Sequence, residues 1–127
     1  MQSWSNLVIV KRVYGKPGEH GPSSRLGESW EFRRAFEQAR AMVRKQDDWC
    51  AVASAGLDMV EGYLPNEIRW ESLVALLRGQ VHLNTHCYTI TDLEAFVDHT
   101  NEFEFVVRAF HHAHQTYLVP EVSPYSW

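Results

Sequence analysis

The chain has 127 residues, the size of one ordinary domain, and hydrophobic residues make up 45% of it, which excludes an intrinsically disordered chain. Its net charge of −4 excludes the broad cationic surface that nucleic-acid binding needs, and its apolar runs are too short for a membrane span or a signal peptide. We therefore expect a cytoplasmic protein with no nucleic-acid or membrane partner, in which Cys50 and Cys87 are reduced thiols.

The first 28 residues predict a strand that runs into a loose loop. Residues 7–10, "LVIV", are mainly β-branched, and the glycine- and proline-rich stretch after them can continue neither a strand nor a helix. From Ser29, interpreted as an N-cap, apolar side chains recur at the spacing of an amphipathic helix, at Phe32, Phe36, Ala39 and Val43. An ordered α/β core is expected over residues 29–119, followed by a tail over residues 120–127.

Two further helices are predicted in the middle of the chain. Residues 48–59 are rich in alanine, which suits a closely packed helix, and Gly62 and Pro65 follow them as helix terminators. Asn66 is interpreted as the cap of the next helix, and Gly79 lies where a left-handed residue would end it. These segments would pack as separate helices.

The last part of the chain predicts a strand, a helix and a second strand. Residues 81–85, "VHLNT", alternate between an apolar and a polar face, and Thr91 and Glu94 have the spacing of a capping box. Residues 103–110, "FEFVVRAF", are the last predicted strand. Alternating strands and helices indicate an α/β fold with a parallel sheet. Large apolar residues would form one helix-on-sheet core, at Trp70, Phe96, Phe105 and Phe110.

Histidines follow two of the predicted strands. His86 ends one of them, and His111 and His112 end the next. Because the carboxyl ends of parallel strands meet at one edge of a sheet, these imidazoles predict a site for Zn²⁺ or another divalent metal. The alternative is that they are ordinary hydrogen-bonded residues, and strand parity does not decide between His111 and His112. We interpret two other histidines as helix-surface residues, at His99 and His114.

Residues 73–119 resemble the middle of the metal-dependent amidohydrolase superfamily, in its imidazolonepropionase-like and amidohydrolase-related branch. That branch has a helix ending in Leu-Arg-Gly, a strand ending in a metal-binding histidine, a helix, and a second such strand with a tyrosine beyond it. The corresponding residues here are Leu77, Arg78, Gly79, His86, His112, Ala113 and Tyr117. Residues 11–15, "KRVYG", and residues 22–27, "PSSRLG", also resemble this branch.

The resemblance implies a partial (β/α)8 (TIM) barrel, about strands four to six with their helices. It implies that His86 and His112 bind the metal, with His111 as a neighbour or substitute, and it makes Lys11 a candidate catalytic residue. The implied reaction is hydrolysis of a C–N bond in a small-molecule amide, or of an ester, by metal-activated water.

The chain also departs from the family pattern. It contains neither the His-x-His strand nor the strand with the catalytic aspartate, and residues 8–10 are apolar where the branch has Glu-Asn-Pro. We therefore expect a fragment of a barrel that is catalytically incomplete alone. The alternative is a non-enzymatic α/β module or pseudoenzyme, whose exposed barrel face binds a protein partner or a second copy of the chain.

Overall fold

The computed structural model describes residues 5–9 and 25–119, apart from residues 57, 59 and 88; for residues 5–9 and 25 it describes the backbone only. The described elements, in chain order, are β1 Ser5–Ile9, α1 Arg25–Ala55, α2 Glu71–Leu77, β2 Val81–His86, α3 Ile90–Phe103, β3 Val107–His111 and a short 3-10 helix Thr116–Leu118. The predicted loop after the first strand and the predicted tail over residues 120–127 lie largely outside the described residues.

The strands form a three-stranded parallel sheet in the order β1-β2-β3. Strand β2 lies in the middle, and its partner residues include Leu83 with Val107 and His86 with His111. The predicted order of elements and the parallel pairing are therefore confirmed. These features fit an α/β fold, while the partial TIM barrel stays a prediction.

Helix α1 is one continuous helix of 31 residues, so the prediction of two separate helices was wrong. No glycine or proline occurs between Gly27 and Gly56, so nothing in that stretch ends a helix. Ser29 lies inside this helix, which begins at Arg25, and is therefore not its N-cap. Its hydroxyl has a different partner, described below.

Helix α2 begins later than predicted. Asn66 does not cap it, because a turn closed by the hydrogen bond from the Trp70 N–H to the Glu67 carbonyl precedes the helix. The predicted left-handed end at Gly79 is confirmed, with φ of 66°. The N–H groups of Gly79 and Gln80 bond the carbonyls of Leu76 and Ala75, which is a Schellman motif.

The last strand is shorter than predicted, because Phe103 ends α3 and the strand begins only at Val107. Glu104, in the left-handed conformation with φ of 56°, reverses the chain between them. The turn lets both Phe103 and Phe105 enter the core, where their rings lie 5.1 Å and 4.6 Å from that of Phe36. Residues 103, 105 and 107 are buried, and residues 104 and 106 are exposed. This alternation is why the sequence predicted a strand that began at Phe103.

The main core lies between the three helices and one face of the sheet. Leu83 from β2, Phe36 from α1, Leu76 from α2 and Phe96 from α3 all belong to it. Of the predicted core, Phe96 and Phe105 are buried and Phe110 packs against them, but Trp70 packs against a smaller cluster between α1 and α2. No helix in the described ranges is both long and apolar enough to cross a membrane.

Candidate functional site

The carboxyl ends of β2 and β3 bring two of the predicted histidines together. His86 and His111 are register partners in the parallel sheet, and their stacked rings have centroids 5.1 Å apart. Leu83 and Thr85 of β2 are buried in the core, so strand alternation places His86 on the opposite face. The two imidazoles therefore lie on the sheet face opposite the core that the described helices form.

An irregularity in the register gives His111 this position. Leu83 is paired with Val107, but its neighbour Asn84 is paired with Ala109, so Arg108 is an extra residue in β3. Without the extra residue, His86 would lie beside Phe110 rather than beside His111. A bulge that redirects side chains in this way is common next to functional sites.

His112 joins the same group. It follows the end of β3 with φ of 55°, a left-handed conformation that breaks the alternation of the strand. Its ring centroid lies 5.1 Å from that of His86, the same separation as for His111. We call His86, His111 and His112 the histidine cluster. The ring of His114 lies beyond it, 6.4 Å from that of His112.

The ring geometry of the cluster can be compared with that of a metal site. Zn²⁺ binds imidazole nitrogen at about 2.0–2.1 Å with tetrahedral angles, so the centroids of two ligating rings lie roughly 5 Å apart. The separations of His86 from His111 and from His112 are close to this value, but the rings of His86 and His111 are stacked at 21°, whereas an ion lies in the plane of each ring that binds it. Among the described residues, however, no group of three His, Cys, Asp or Glu side chains is arranged to hold an ion. The structure therefore places the three predicted histidines together, and their role as metal ligands stays a prediction.

Other candidate residues lie away from the cluster or outside the described chain. Lys11 lies outside the described residues. Tyr117 is described and is 77% exposed. Cys87 is buried on the core side of the sheet, so it does not face His86 across the site. Both cysteines are free thiols.

His99 was misinterpreted as a surface residue of its helix. Its side chain is buried, and its Nε2 lies 2.9 Å from the Ser29 hydroxyl oxygen of α1. Burial lowers the pKa of His99, although the charges of Glu102 and Asp98 act in the opposite direction. Its spacing from Phe96 and Phe103 on the apolar side of α3 is the signal that could have revealed its burial. His114 is exposed, as predicted, but lies in a turn rather than on a helix.

Comparison with known proteins gives one informative relative. The chain is 58% identical over 119 residues to amidohydrolase tasK of Hapsidospora irregularis. The alignment covers 93% of this chain and 12% of that protein, so the chain spans about an eighth of its relative's length. No known protein-family profile matches the chain, and no solved structure matches it significantly. Nearly the whole chain is therefore similar to one segment of a much longer amidohydrolase.

Proposed function

We propose that the chain is a segment of a metal-dependent amidohydrolase of the imidazolonepropionase-like branch, contributing about strands four to six of a (β/α)8 barrel. In this role the histidine cluster supplies metal ligands to a site that hydrolyses a C–N bond in a small amide, or an ester. The observation that supports the proposal is that the rings of His111 and His112 both lie 5.1 Å from that of His86, at the ends of adjacent parallel strands. The similarity to amidohydrolase tasK supports the reaction class.

The residues of this chain have a binding and positioning role. His86 and either His111 or His112 would hold a divalent cation, because neutral imidazole is a common ligand for such ions. When bound, the cation would activate water and polarise the substrate carbonyl. The further ligands and the general base would come from other segments of a longer protein, which is why we expect this chain alone to be inactive.

Zinc binding by the chain tests the proposal. We expect Zn²⁺ to raise the melting temperature of the chain, because a ligand that binds only the folded state stabilises it by about 2.7 kcal/mol at 100 times its Kd. His86→Ala should abolish the rise, because His86 contacts both other members of the cluster. His82→Ala is the matched control, since His82 lies on the same face of β2 but four residues from His86.

Two outcomes would contradict the metal-site proposal. In one, Zn²⁺ leaves the melting temperature unchanged. In the other, the zinc-induced rise survives the simultaneous replacement of His86, His111 and His112 by alanine. Loss of the rise in His82→Ala would place the ligand elsewhere on β2 and would also count against the cluster.

A second candidate function is binding of a protein partner through the sheet. The three helices all join the core on the Leu83 face, and the opposite face carries half-buried polar side chains, including His82 and Asn84. Strands β1 and β3 each pair with only one strand among the described elements. Strand edges and a sheet face that the described helices and strands leave open are features that favour association with another chain.

Adding the other barrel strands as a separate polypeptide distinguishes this second function from metal binding. A separate polypeptide with the remaining barrel strands of a longer relative should raise the melting temperature of this chain without added metal. Sedimentation of the chain alone measures self-association through the same face. A monomer that gains no stability from the added polypeptide would exclude this second function, whatever the zinc titration shows.

A further inference from the structure

The turn after β3 carries His112 in a strained backbone conformation. The last register pair of β2 and β3 is His86 with His111, so His112 lies beyond the paired residues. Its φ is 55°, and a residue other than glycine keeps this conformation only where the surrounding structure holds it there. The position of the His112 ring, 5.1 Å from that of His86, therefore depends on the contacts that fix this turn.

Hydrogen bonds and apolar contacts make residues 112–119 one unit. The carbonyl of Ala113 accepts hydrogen bonds from the backbone N–H of Thr116 at 3.2 Å and from its hydroxyl at 2.7 Å. The carbonyl of His112 accepts a hydrogen bond from the N–H of His114 at 2.9 Å. Ala113 and Val119 pack against the main core. A contact made elsewhere in this turn therefore affects the backbone of His112.

Gln115 joins the turn to the start of α3. Its Oε1 atom accepts a hydrogen bond from the backbone N–H of Ile90 at 3.0 Å. The first N–H groups of a helix have no carbonyl partner within the helix, and Thr89, the N-cap of α3, makes no side-chain cap bond. Gln115 thus supplies an acceptor that α3 does not provide itself. The bond connects the helix that follows β2 with the turn that follows β3, at the edge of the sheet where the histidine cluster lies.

We propose that Gln115 is a positioning residue of the candidate site, whose bond to α3 fixes the turn so that the His112 ring lies beside that of His86. His111 does not need this bond, because the pairing of β3 with β2 places it. The role of Gln115 in a metal site rests on the proposed function of the histidine cluster. Its effect on the position of the His112 ring does not.

Ring contacts in NMR spectra of the metal-free, 127-residue chain test the proposal. The natural chain should show nuclear Overhauser contacts from the ring of His86 to those of His111 and His112, which the variants His111→Ala and His112→Ala assign. Gln115→Leu removes the acceptor, and we expect it to lose the contact with His112 and to keep the contact with His111. Gln115→Glu keeps an oxygen acceptor for the Ile90 N–H and should retain both contacts.

A double variant separates positioning from capping of α3. Aspartate is a favoured N-cap, so adding Thr89→Asp to Gln115→Leu should return the melting temperature toward that of the natural chain without restoring the contact between His86 and His112. A merely structural role of Gln115 would restore both together.

Several results would overturn the proposal. They are the absence of the His86–His112 contact in the natural chain, the survival or the loss of both contacts in Gln115→Leu, the loss of the His112 contact in Gln115→Glu, and its return in the double variant. A chain that shows the expected contacts but no zinc-induced rise in melting temperature would contradict the proposed function and leave the positioning by Gln115 supported.

Discussion

The rings of His86 and His111 stack with an interplanar angle of 21°, and their residues are direct partners across two parallel strands. His112 reaches the same distance from His86 by a different route, a left-handed residue after the strand. His111 and His112 are consecutive in the chain, yet both rings lie near that of His86. In a regular strand their side chains would point to opposite faces of the sheet. The cluster therefore contains two candidates for the position beside His86.

The equal distances predict that His111 and His112 can replace each other as zinc ligands. We expect His111→Ala and His112→Ala each to retain part of the zinc-induced rise in melting temperature, and the double variant to lose it. This non-additivity is the signature of two groups that serve one position. His114→Ala, the matched control, should keep the full rise, because its ring lies 6.4 Å from that of His112. A single variant that loses the whole rise would identify one ligand and exclude the exchange.

The order and direction of the strands could be predicted from the sequence. The spacing of apolar residues distinguishes strands from helices, and strands joined by helices pair in parallel. The sequence was also sufficient to bring His86 near the end of the next strand. It could not choose between His111 and His112, since that depends on the extra residue Arg108 and on a left-handed backbone at His112. Arg108 gives no signal of an extra residue in a strand. Histidine adopts the left-handed conformation more often than most residues, but far less often than glycine, so its residue type alone does not predict this backbone.

Helix boundaries were predicted less well, for a related reason. Ser29 and Asn66 have the residue types of caps, but capping depends on where the backbone stops being helical. The absence of glycine and proline through residues 28–55 lets α1 continue, and a turn before Trp70 delays α2. The Ser29–His99 contact joins residues 70 positions apart, which no local pattern reveals.

Left-handed residues at two helix ends give a matched pair of stability predictions. Gly79 has φ of 66°, and a Cβ there would meet nothing within 4 Å, so Gly79→Ala is disfavoured by backbone strain alone. We expect it to lower the free energy of unfolding by about 1 kcal/mol. Glu104 has φ of 56° at the end of α3, and Glu104→Gly should raise that free energy by about 0.5–1 kcal/mol. Urea denaturation measures both, and changes of the same sign would contradict the account.

Core packing around Phe36 gives a larger effect. Its ring stacks on that of Phe105 at 4.6 Å, and its side chain is 1% exposed. Phe36→Ala should therefore lower the free energy of unfolding by about 3–5 kcal/mol, through lost burial and the cavity left behind. Tyr63 is 98% exposed, and Tyr63→Ala should change stability by less than about 0.5 kcal/mol. A loss in Phe36→Ala as small as that expected for Tyr63→Ala would show that Phe36 of α1 is not packed in the core as described.

The buried pair of Ser29 and His99 predicts a loss of stability in mild acid. Burial lowers the pKa of His99 in the folded chain below its ordinary value of 6.5, so the unfolded chain binds its proton more readily. The contribution of neutral His99 to stability is complete above pH 6.5 and decreases as the pH falls from there toward the folded pKa. The free energy of unfolding should therefore fall more steeply between pH 7 and pH 5 in the natural chain than in His99→Gln. Ser29→Ala should keep the steeper fall, because it retains the titrating ring. Parallel pH profiles for the natural chain and His99→Gln would show that His99 does not carry this dependence.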